Sequence, residues 1–248
     1  MTFSSKFLKQ APLNQWLVIL ILLVILFIAG IPGYFTQNWQ WKQSPPIVNI
    51  KQIQKLRTQN LPVPGWKTLK QEQFQAGGHK WSLQEIQKQK IKPNSPDIKA
   101  TMLLYPQDSP TSKPQVEWTD INSLTKWKIA QYRQVSFNVP QQDGINTGKD
   151  IKVKARFFRA TLDNKNLTTY AVLQWYAMPM KGDPSPMDWF LADQAAKLRK
   201  QRVPWVAVHI MIPMESLGQL EDNWSEIKSL GEAVQASLIR NVFGFTQG

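Results

Sequence analysis

Apolar residues are concentrated in one continuous run near the start of the chain. Residues 16–35 read WLVILILLVILFIAGIPGYF and contain no charged side chain. A helix of this length rises about 1.5 Å per residue and matches the roughly 30 Å hydrocarbon core of a bilayer. The run is longer than the apolar region of a signal peptide, and it lacks a good small-residue cleavage site. The pattern therefore predicts a retained transmembrane anchor over residues 13–35, after a cytoplasmic tail at residues 1–12.

The lysines on the two sides of this run do not settle its orientation. Lys6 and Lys9 precede it, and Lys42 follows it closely. Long domains translocate largely regardless of their charge, so a short basic tail before a long domain favours tail inside and domain outside. We therefore expect a single-pass protein of the plasma membrane with an extracytoplasmic C-terminal domain. Periplasm and thylakoid lumen are both compatible with this orientation.

The polar pattern after the anchor is that of a spacer. Residues 36–99 are rich in Gln, Lys and Pro, with the motifs QSPPIVNI, LPVPGWKTL and KPNSPD. Frequent proline breaks predict a linker with short local elements. One such element is a helix over residues 82–90, where Ser82 and Glu85 have the spacing of a capping box.

From residue 100 onward the pattern changes to strands. Residues 135–139 alternate between apolar and polar side chains, as in a strand with one buried face. Two further apolar stretches, residues 151–161 and 168–178, follow after short turn-rich connections. Three successive strands joined in this way predict an antiparallel meander. Residues 205–212 are apolar on both faces, which predicts a central strand.

Two helices are predicted near the end of the chain. The first begins after the DPSP motif at residues 183–186, and the second covers about residues 224–242. Four apolar side chains of the first helix share one face: Phe190, Leu191, Ala195 and Leu198. The whole pattern predicts an α+β fold, with a single N-terminal transmembrane helix and then a mostly antiparallel sheet covered by two C-terminal helices. The folded domain is assigned to residues 100–248.

The net charge of +13 is concentrated before this domain. Residues 42–99 hold eleven Lys and Arg against three acids. Two interpretations are open: attraction to an anionic lipid surface, and a solvated linker without a specific partner. No DNA-binding or RNA-binding motif accompanies the charge, so nucleic acid is not expected as a partner.

Composition excludes several kinds of site. The chain has no cysteine, which excludes disulfides, thiolate metal sites and a cysteine nucleophile. Its only histidines, His79 and His209, lack zinc-binding spacing. Nucleotide-binding loops and the serine nucleophile elbow are also missing. We therefore expect no catalytic residue, no metal site and no cofactor, and a chain that is not an enzyme.

One catalytic arrangement stays open as the weakest hypothesis. Asp193 and His209, with a serine or a water molecule, would form a hydrolase site if His209 lined a cleft. His209 lies between two apolar residues of a strand. This position is more typical of a hydrogen-bonded core histidine, and its burial decides the question.

Four residues form the candidate site for a ligand or partner. Arg156 and Arg159 carry charges that suit an anion, and Trp175 and Tyr176 suit an aromatic platform for a sugar or peptide. The competing interpretation is an exposed strand face for the arginines and a packed core for the aromatic rings. The binding hypothesis is a module for an anionic glycan or lipid headgroup.

Three stretches of the sequence resemble a known family. They are PQVEWTDINSLTKW at residues 114–127, AVLQWY at 171–176, and DPSPMDWFLADQAAKLRKQRVPWVAVHIMIPM at 183–214. Together with the N-terminal apolar run, they resemble the cyanobacterial exosortase system-associated proteins, in particular the cyanoexosortase B-associated group. The resemblance covers roughly residues 60–240.

The resemblance implies a role as a membrane-anchored, non-catalytic accessory or scaffold protein. Its partner would be a multi-pass exosortase, a transpeptidase-like protease for proteins with a C-terminal sorting signal, often connected with surface polysaccharide. The cysteine chemistry of such an enzyme would belong to the partner, because this chain has no cysteine. The resemblance carries no site residue over to this sequence.

Overall fold

The computed structural model describes residues 16–25, 45–90, 92, 96–114, 127–140, 150–162 and 168–244. The chain divides into two compact units, Met1–Ser44 and Pro45–Gly248. In the first unit, residues 16–25 form a helix. Their large apolar side chains are about half exposed.

The predicted transmembrane anchor is wrong. Among the residues that the structure describes, no helix is both long enough and apolar enough to cross a membrane. The predicted localisation, a single-pass protein of the plasma membrane with an extracytoplasmic domain, is contradicted by the same finding. The predicted tail at 1–12 and residues 13–15 and 26–44 lie outside the described residues.

The second unit is built on an eight-stranded mixed sheet. Its strands are β1 (Trp66–Ala76), β2 (His79–Lys88), β3 (Lys99–Pro106), β4 (Trp127–Val139), β5 (Ile151–Leu162), β6 (Thr169–Ala177), β7 (Gly182–Asp183) and β8 (Val206–Met214). They lie in the order β1-β2-β3-β8-β6-β7-β5-β4, and β6 also pairs directly with β5. The β5–β7 pair is parallel, and the other pairs of these strands are antiparallel.

Helices lie on both faces of this sheet. The α-helices in the described part of this unit are α1 (Ile50–Lys55), α2 (Pro186–Lys197) and α3 (Trp224–Leu238), and α3 is preceded by a 3-10 helix at Leu220–Asn223 and followed by a π-helix at Ile239–Phe243. We call the face that packs against α3 the α3 face and the other the α2 face. Successive residues of a strand point to opposite faces, so Trp175 belongs to the core of the α3 face and Tyr176 to that of the α2 face.

The predicted fold class is wrong in its transmembrane helix, because no helix among the described residues can cross a membrane. The unit itself is α+β, and its sheet is mixed, with β5–β7 as a parallel pair. Its two C-terminal helices cover opposite faces of the sheet. Two finer predictions are confirmed. The meander of β4, β5 and β6 exists, and β8 is a central strand between β3 and β6.

Two strands come from the stretch that the sequence predicts to be a linker. Residues 66–88 form β1 and β2, and the compact unit already begins at Pro45. The predicted helix over residues 82–90 is mostly part of β2. Its polar residues are satisfied inside the sheet: Gln84 donates to Ser82 at 3.1 Å and accepts from the backbone N–H of Leu61 at 3.1 Å.

A buried hydrogen-bond chain joins α3 to the sheet. The indole N–H of Trp175 donates to Oε1 of Gln235 at 2.8 Å, and Nε2 of Gln235 donates to the carbonyl of Met178 at 2.9 Å. Trp175 and Gln235 are completely buried. Each of these polar groups would be costly to bury without its partner.

We predict that Gln235→Leu lowers the free energy of unfolding by about 2–4 kcal/mol, because it leaves a buried indole N–H and a buried carbonyl unsatisfied. Urea denaturation of the full chain measures this loss. Ser229→Leu, at an exposed position of the same helix, is the control and should change stability by about 0.5 kcal/mol at most. Equal effects of the two substitutions would contradict the prediction.

Candidate functional site

The structure separates the two arginines of the predicted binding site. Arg156 and Arg159 are three residues apart on β5, and an odd spacing on a strand places side chains on opposite faces. Arg156 lies opposite Gln174 on the α2 face. Arg159 lies opposite Ala171, whose side chain belongs to the core of the α3 face. The two guanidinium groups therefore do not form one site.

The aromatic pair does not form a ligand platform. Trp175 is fully buried under α3, and Tyr176 is 2% exposed in the core of the α2 face. The ring of Tyr176 meets the ring of Trp205 edge-on, with 5.8 Å between the centroids. Both aromatic side chains are packing residues. Of the four predicted site residues, Arg156 lines a cleft formed by described residues.

This cleft has a volume of about 500 Å³ and opens on the α2 face. The lining is Gln134, Val135 and Ser136 from β4, Lys152, Lys154, Ala155 and Arg156 from β5, and Asp183, Pro184, Ser185, Pro186 and Asp188 from β7 and the start of α2. Ser136 faces Lys154, and Gln134 faces Arg156, in the β4–β5 register. The floor of the cleft is thus two paired strands, and one wall is the start of a helix.

Side chains of the neighbouring strands pack closely against the backbone of Gly182, at the wall of the cleft. A methyl group on Gly182 would lie 2.6 Å from Cγ1 of Val153 and 2.8 Å from Cδ1 of Trp175. Real side chains do not fit at such distances, so glycine allows β7 to sit tightly between β5 and β6.

Asp183 continues this wall into α2. Its Oδ1 accepts from the backbone N–H of Ser185 at 2.9 Å, and its Oδ2 lies 3.3 Å from Nζ of Lys154. The hydroxyl of Ser185 then accepts from the backbone N–H of Met187 at 3.2 Å and caps the helix. The side chain of Asp183 is 6% exposed, so the DPSP motif holds β5 and the beginning of α2 together.

Cations dominate the open part of the cleft. Lys152, Lys154 and Arg156 alternate along β5 and share one face. Lys154 pairs with Asp183, whereas Lys152 and Arg156 have no acidic partner among the described residues. The remaining acid, Asp188, pairs with Lys181 at 3.4 Å. The two lysines were not among the predicted site residues, although the pattern Lys-x-Lys-x-Arg at residues 152–156 indicates a row of cations on one strand face.

The predicted hydrolase arrangement is not formed. His209 is 0% exposed, and its Nδ1 is 2.7 Å from Nε2 of Gln174. The indole ring of Trp127 stacks on its imidazole at 5.3 Å. Asp193 accepts instead from Nε of Arg202 at 2.7 Å. His209 therefore lines no cleft, while the broader prediction that the chain is not an enzyme stays a prediction.

A second histidine takes part in a partly buried hydrogen-bond chain. Nδ1 of His79 is 2.8 Å from the hydroxyl of Tyr105, which donates to Oδ2 of Asp108 at 2.8 Å. Arg57 forms an ion pair with the same carboxylate. Within the described ranges, no group of three or more His, Asp or Glu side chains is close enough to hold a metal ion.

Comparisons with protein-family models, with curated proteins and with solved structures found no match to this chain. The resemblance to exosortase system-associated proteins and the exosortase partner stay predictions. The stretch at residues 115–126, which carries part of that resemblance, lies outside the described residues.

Burial lowers the pKa of His209 to about 3, far below its ordinary value of 6.5. Above about pH 6.5 the ring is neutral in both the folded and the unfolded chain, so it adds no pH dependence there. Below that pH His209 binds a proton in the unfolded chain but stays neutral in the folded chain. We therefore predict that stability falls by about 1.4 kcal/mol per pH unit from this group, down to about pH 3.

The measurement is urea denaturation of the wild type and of His209→Gln between pH 7 and pH 3. The substitution has its own constant cost, but the stability difference between the two proteins should shift towards the variant as the pH falls. A difference that is independent of pH would contradict the burial of a neutral imidazole.

Proposed function

We propose that the chain is a binding module for an anionic glycan, with the cleft between β5 and the start of α2 as its site. The observation that carries this proposal is a pair of cations, Lys152 and Arg156, that flank a cleft of about 500 Å³ without an acidic partner among the described residues. Such a pair is free to bind a ligand charge without first breaking an internal ion pair.

The distances along β5 suit an extended ligand. Alternate residues of a strand are about 6.6 Å apart, so the row from Lys152 to Arg156 spans about 13 Å. A short oligosaccharide with acidic sugars can place one carboxylate near each end of this row. A single small anion would contact one end only.

The neutral lining favours a sugar over a simple polyanion. Gln134 and Ser136 are exposed on the strand that faces the cation row, and they offer amide and hydroxyl groups for sugar hydroxyls. Asp183 and Ser185 already bond to each other and to the helix start, so they give the cleft a fixed shape. Pre-organisation of this kind reduces the entropic cost of binding.

This function requires no bond-breaking chemistry from the chain. It therefore agrees with the non-catalytic accessory role that the resemblance implies, and that role stays a prediction. The binding hypothesis from the sequence also includes a lipid headgroup. Such a headgroup carries the same negative charge but lacks a row of sugar hydroxyls for Gln134 and Ser136 to bind.

We predict that Lys152→Gln with Arg156→Gln weakens binding of tetragalacturonate about 5- to 30-fold, because each partly exposed charge contributes about 0.5–1 kcal/mol. Isothermal titration calorimetry of the full chain measures the affinity. Raising the ionic strength from about 0.1 M to about 1 M shortens the Debye length from about 10 to about 3 Å and should also weaken binding.

The matched control is Arg159→Gln, because this arginine lies on the same strand but on the opposite face. It should leave the affinity unchanged, and neutral maltotetraose should bind more weakly than the acidic sugar. Equal loss in the Arg159 variant, or equal binding of the neutral sugar, would overturn the proposal.

A further inference from the structure

The outer side of α2 is apolar and open. Four large apolar side chains along it are exposed: Met187 (62%), Phe190 (40%), Leu191 (61%) and Leu198 (83%). At 100° per residue they occupy one stripe of the helix surface. The apolar face predicted from the sequence therefore points away from the sheet, whereas an amphipathic helix normally buries it.

Polar ties fix this orientation of α2. The inner side buries Trp189, Asp193 and Ala196. The indole N–H of Trp189 donates to the carbonyl of Val203 at 2.9 Å. Asp193 accepts from Nε of Arg202 at 2.7 Å and from the backbone N–H of Val203 at 3.1 Å. Rolling the helix inward would break this network, so the apolar stripe stays outside.

The surroundings of the stripe are positively charged. Arg199 and Lys200, directly after the helix, are exposed. Lys152 and Arg156 lie on the same side of the sheet. The acids of this region each have a basic partner: Asp183 with Lys154, Asp188 with Lys181, and Asp193 with Arg202. The stripe therefore lies beside unpaired positive charge.

We propose that the outer side of α2 docks onto the surface of an anionic lipid bilayer. An exposed row of Met, Phe and Leu beside Arg and Lys has the chemistry of a helix that lies in the plane of a lipid interface. The apolar side chains enter the acyl boundary, and the cations contact anionic headgroups. This binding is peripheral, through the surface of a folded domain.

Charge argues against a second copy of the chain as the occupant. Two copies that met through this side would bring like charges together, whereas an anionic surface complements them. A soluble polyanion would satisfy Arg199 and Lys200 but would leave the apolar stripe in water. An anionic lipid surface would bury the apolar stripe and also bind the cations beside it.

The absence of cysteine allows a test at a single position. Leu191→Cys, labelled with the environment-sensitive fluorophore NBD, gives one probe on the stripe because the chain has no other thiol. Leu217→Cys is the matched control, since Leu217 is 93% exposed in the loop after β8. The full chain is mixed with phosphatidylcholine vesicles that contain or lack phosphatidylglycerol.

We expect a blue shift and a several-fold rise in NBD emission at position 191 with the anionic vesicles, and no change at position 217. Arg199→Gln with Lys200→Gln should reduce the response at position 191. In vesicle sedimentation, Phe190→Ser with Leu191→Ser should weaken anionic binding about tenfold, because two exposed apolar side chains lose their burial in lipid.

An unchanged emission at position 191, equal shifts at both positions, or equal responses to the two kinds of vesicle would each overturn the proposal. A dimer in solution that Phe190→Ser with Leu191→Ser converts to a monomer would assign the stripe to a second copy and overturn it too. Lys152 and Arg156 also add to the positive charge on this side of the sheet, so the two proposals are separated by their readouts. Calorimetry with tetragalacturonate in the absence of lipid tests the cleft, and the NBD emission at position 191 in the absence of sugar tests the stripe.

Discussion

The buried ion pair between Asp193 and Arg202 controls how the α2 side of the molecule is built. Their side chains are 1% and 4% exposed, and Nε of Arg202 lies 2.7 Å from Oδ1 of Asp193. Removing two charges from water is costly unless other groups compensate them. Here Lys197 lies 3.3 Å from Oδ2 of Asp193, and Arg202 donates to the carbonyl of Pro110. The ion pair forms only when the side of α2 that carries Asp193 faces the sheet.

The orientation of α2 then determines what the chain presents to solvent. With Asp193 inside, the opposite stripe with Leu191 and Leu198 must face outward. The start of the same helix, capped by Ser185 and held by Asp183, forms the wall of the cleft. One helix therefore separates two surfaces of different chemistry, a polar cationic cleft at its first residue and an apolar stripe along its length.

Much of the fold can be predicted from the local periodicity of apolar residues. The predictions fail where the same residues fit both a helix and a strand. The meander and β8 are predictable because strand alternation and apolar runs depend on nearby residues. Ser82 and Glu85 fit a helix cap equally well, and the strand forms because Gln84 finds partners in Leu61 and Ser82. Contacts between residues 23 positions apart along the chain are invisible to a local pattern.

The candidate site shows the same limit. The sequence singles out Arg156, which lines the cleft, but pairing it with Arg159 ignores the two-residue period of a strand. Trp175 is a large aromatic residue, which suits a ligand platform and a hydrophobic core equally well. In the structure its indole N–H donates to buried Gln235, so it belongs to the core. The apolar face of α2 illustrates a similar limit. An apolar stripe normally indicates the buried side of a helix. Only the contacts of Asp193 with Arg202 and Val203 show that the apolar stripe of α2 faces solvent.

The position of both surfaces on one side of the sheet has an energetic consequence. Exposed cations such as Lys152 and Arg156 contribute little each, because water screens them. A cleft of this kind is therefore a weak site when it acts alone. If α2 holds the domain at a surface that also carries acidic glycans, the second contact forms at a high effective concentration. The cleft then needs only a modest affinity for the glycan. Selectivity comes from the requirement that acidic glycan and anionic lipid are present on the same surface.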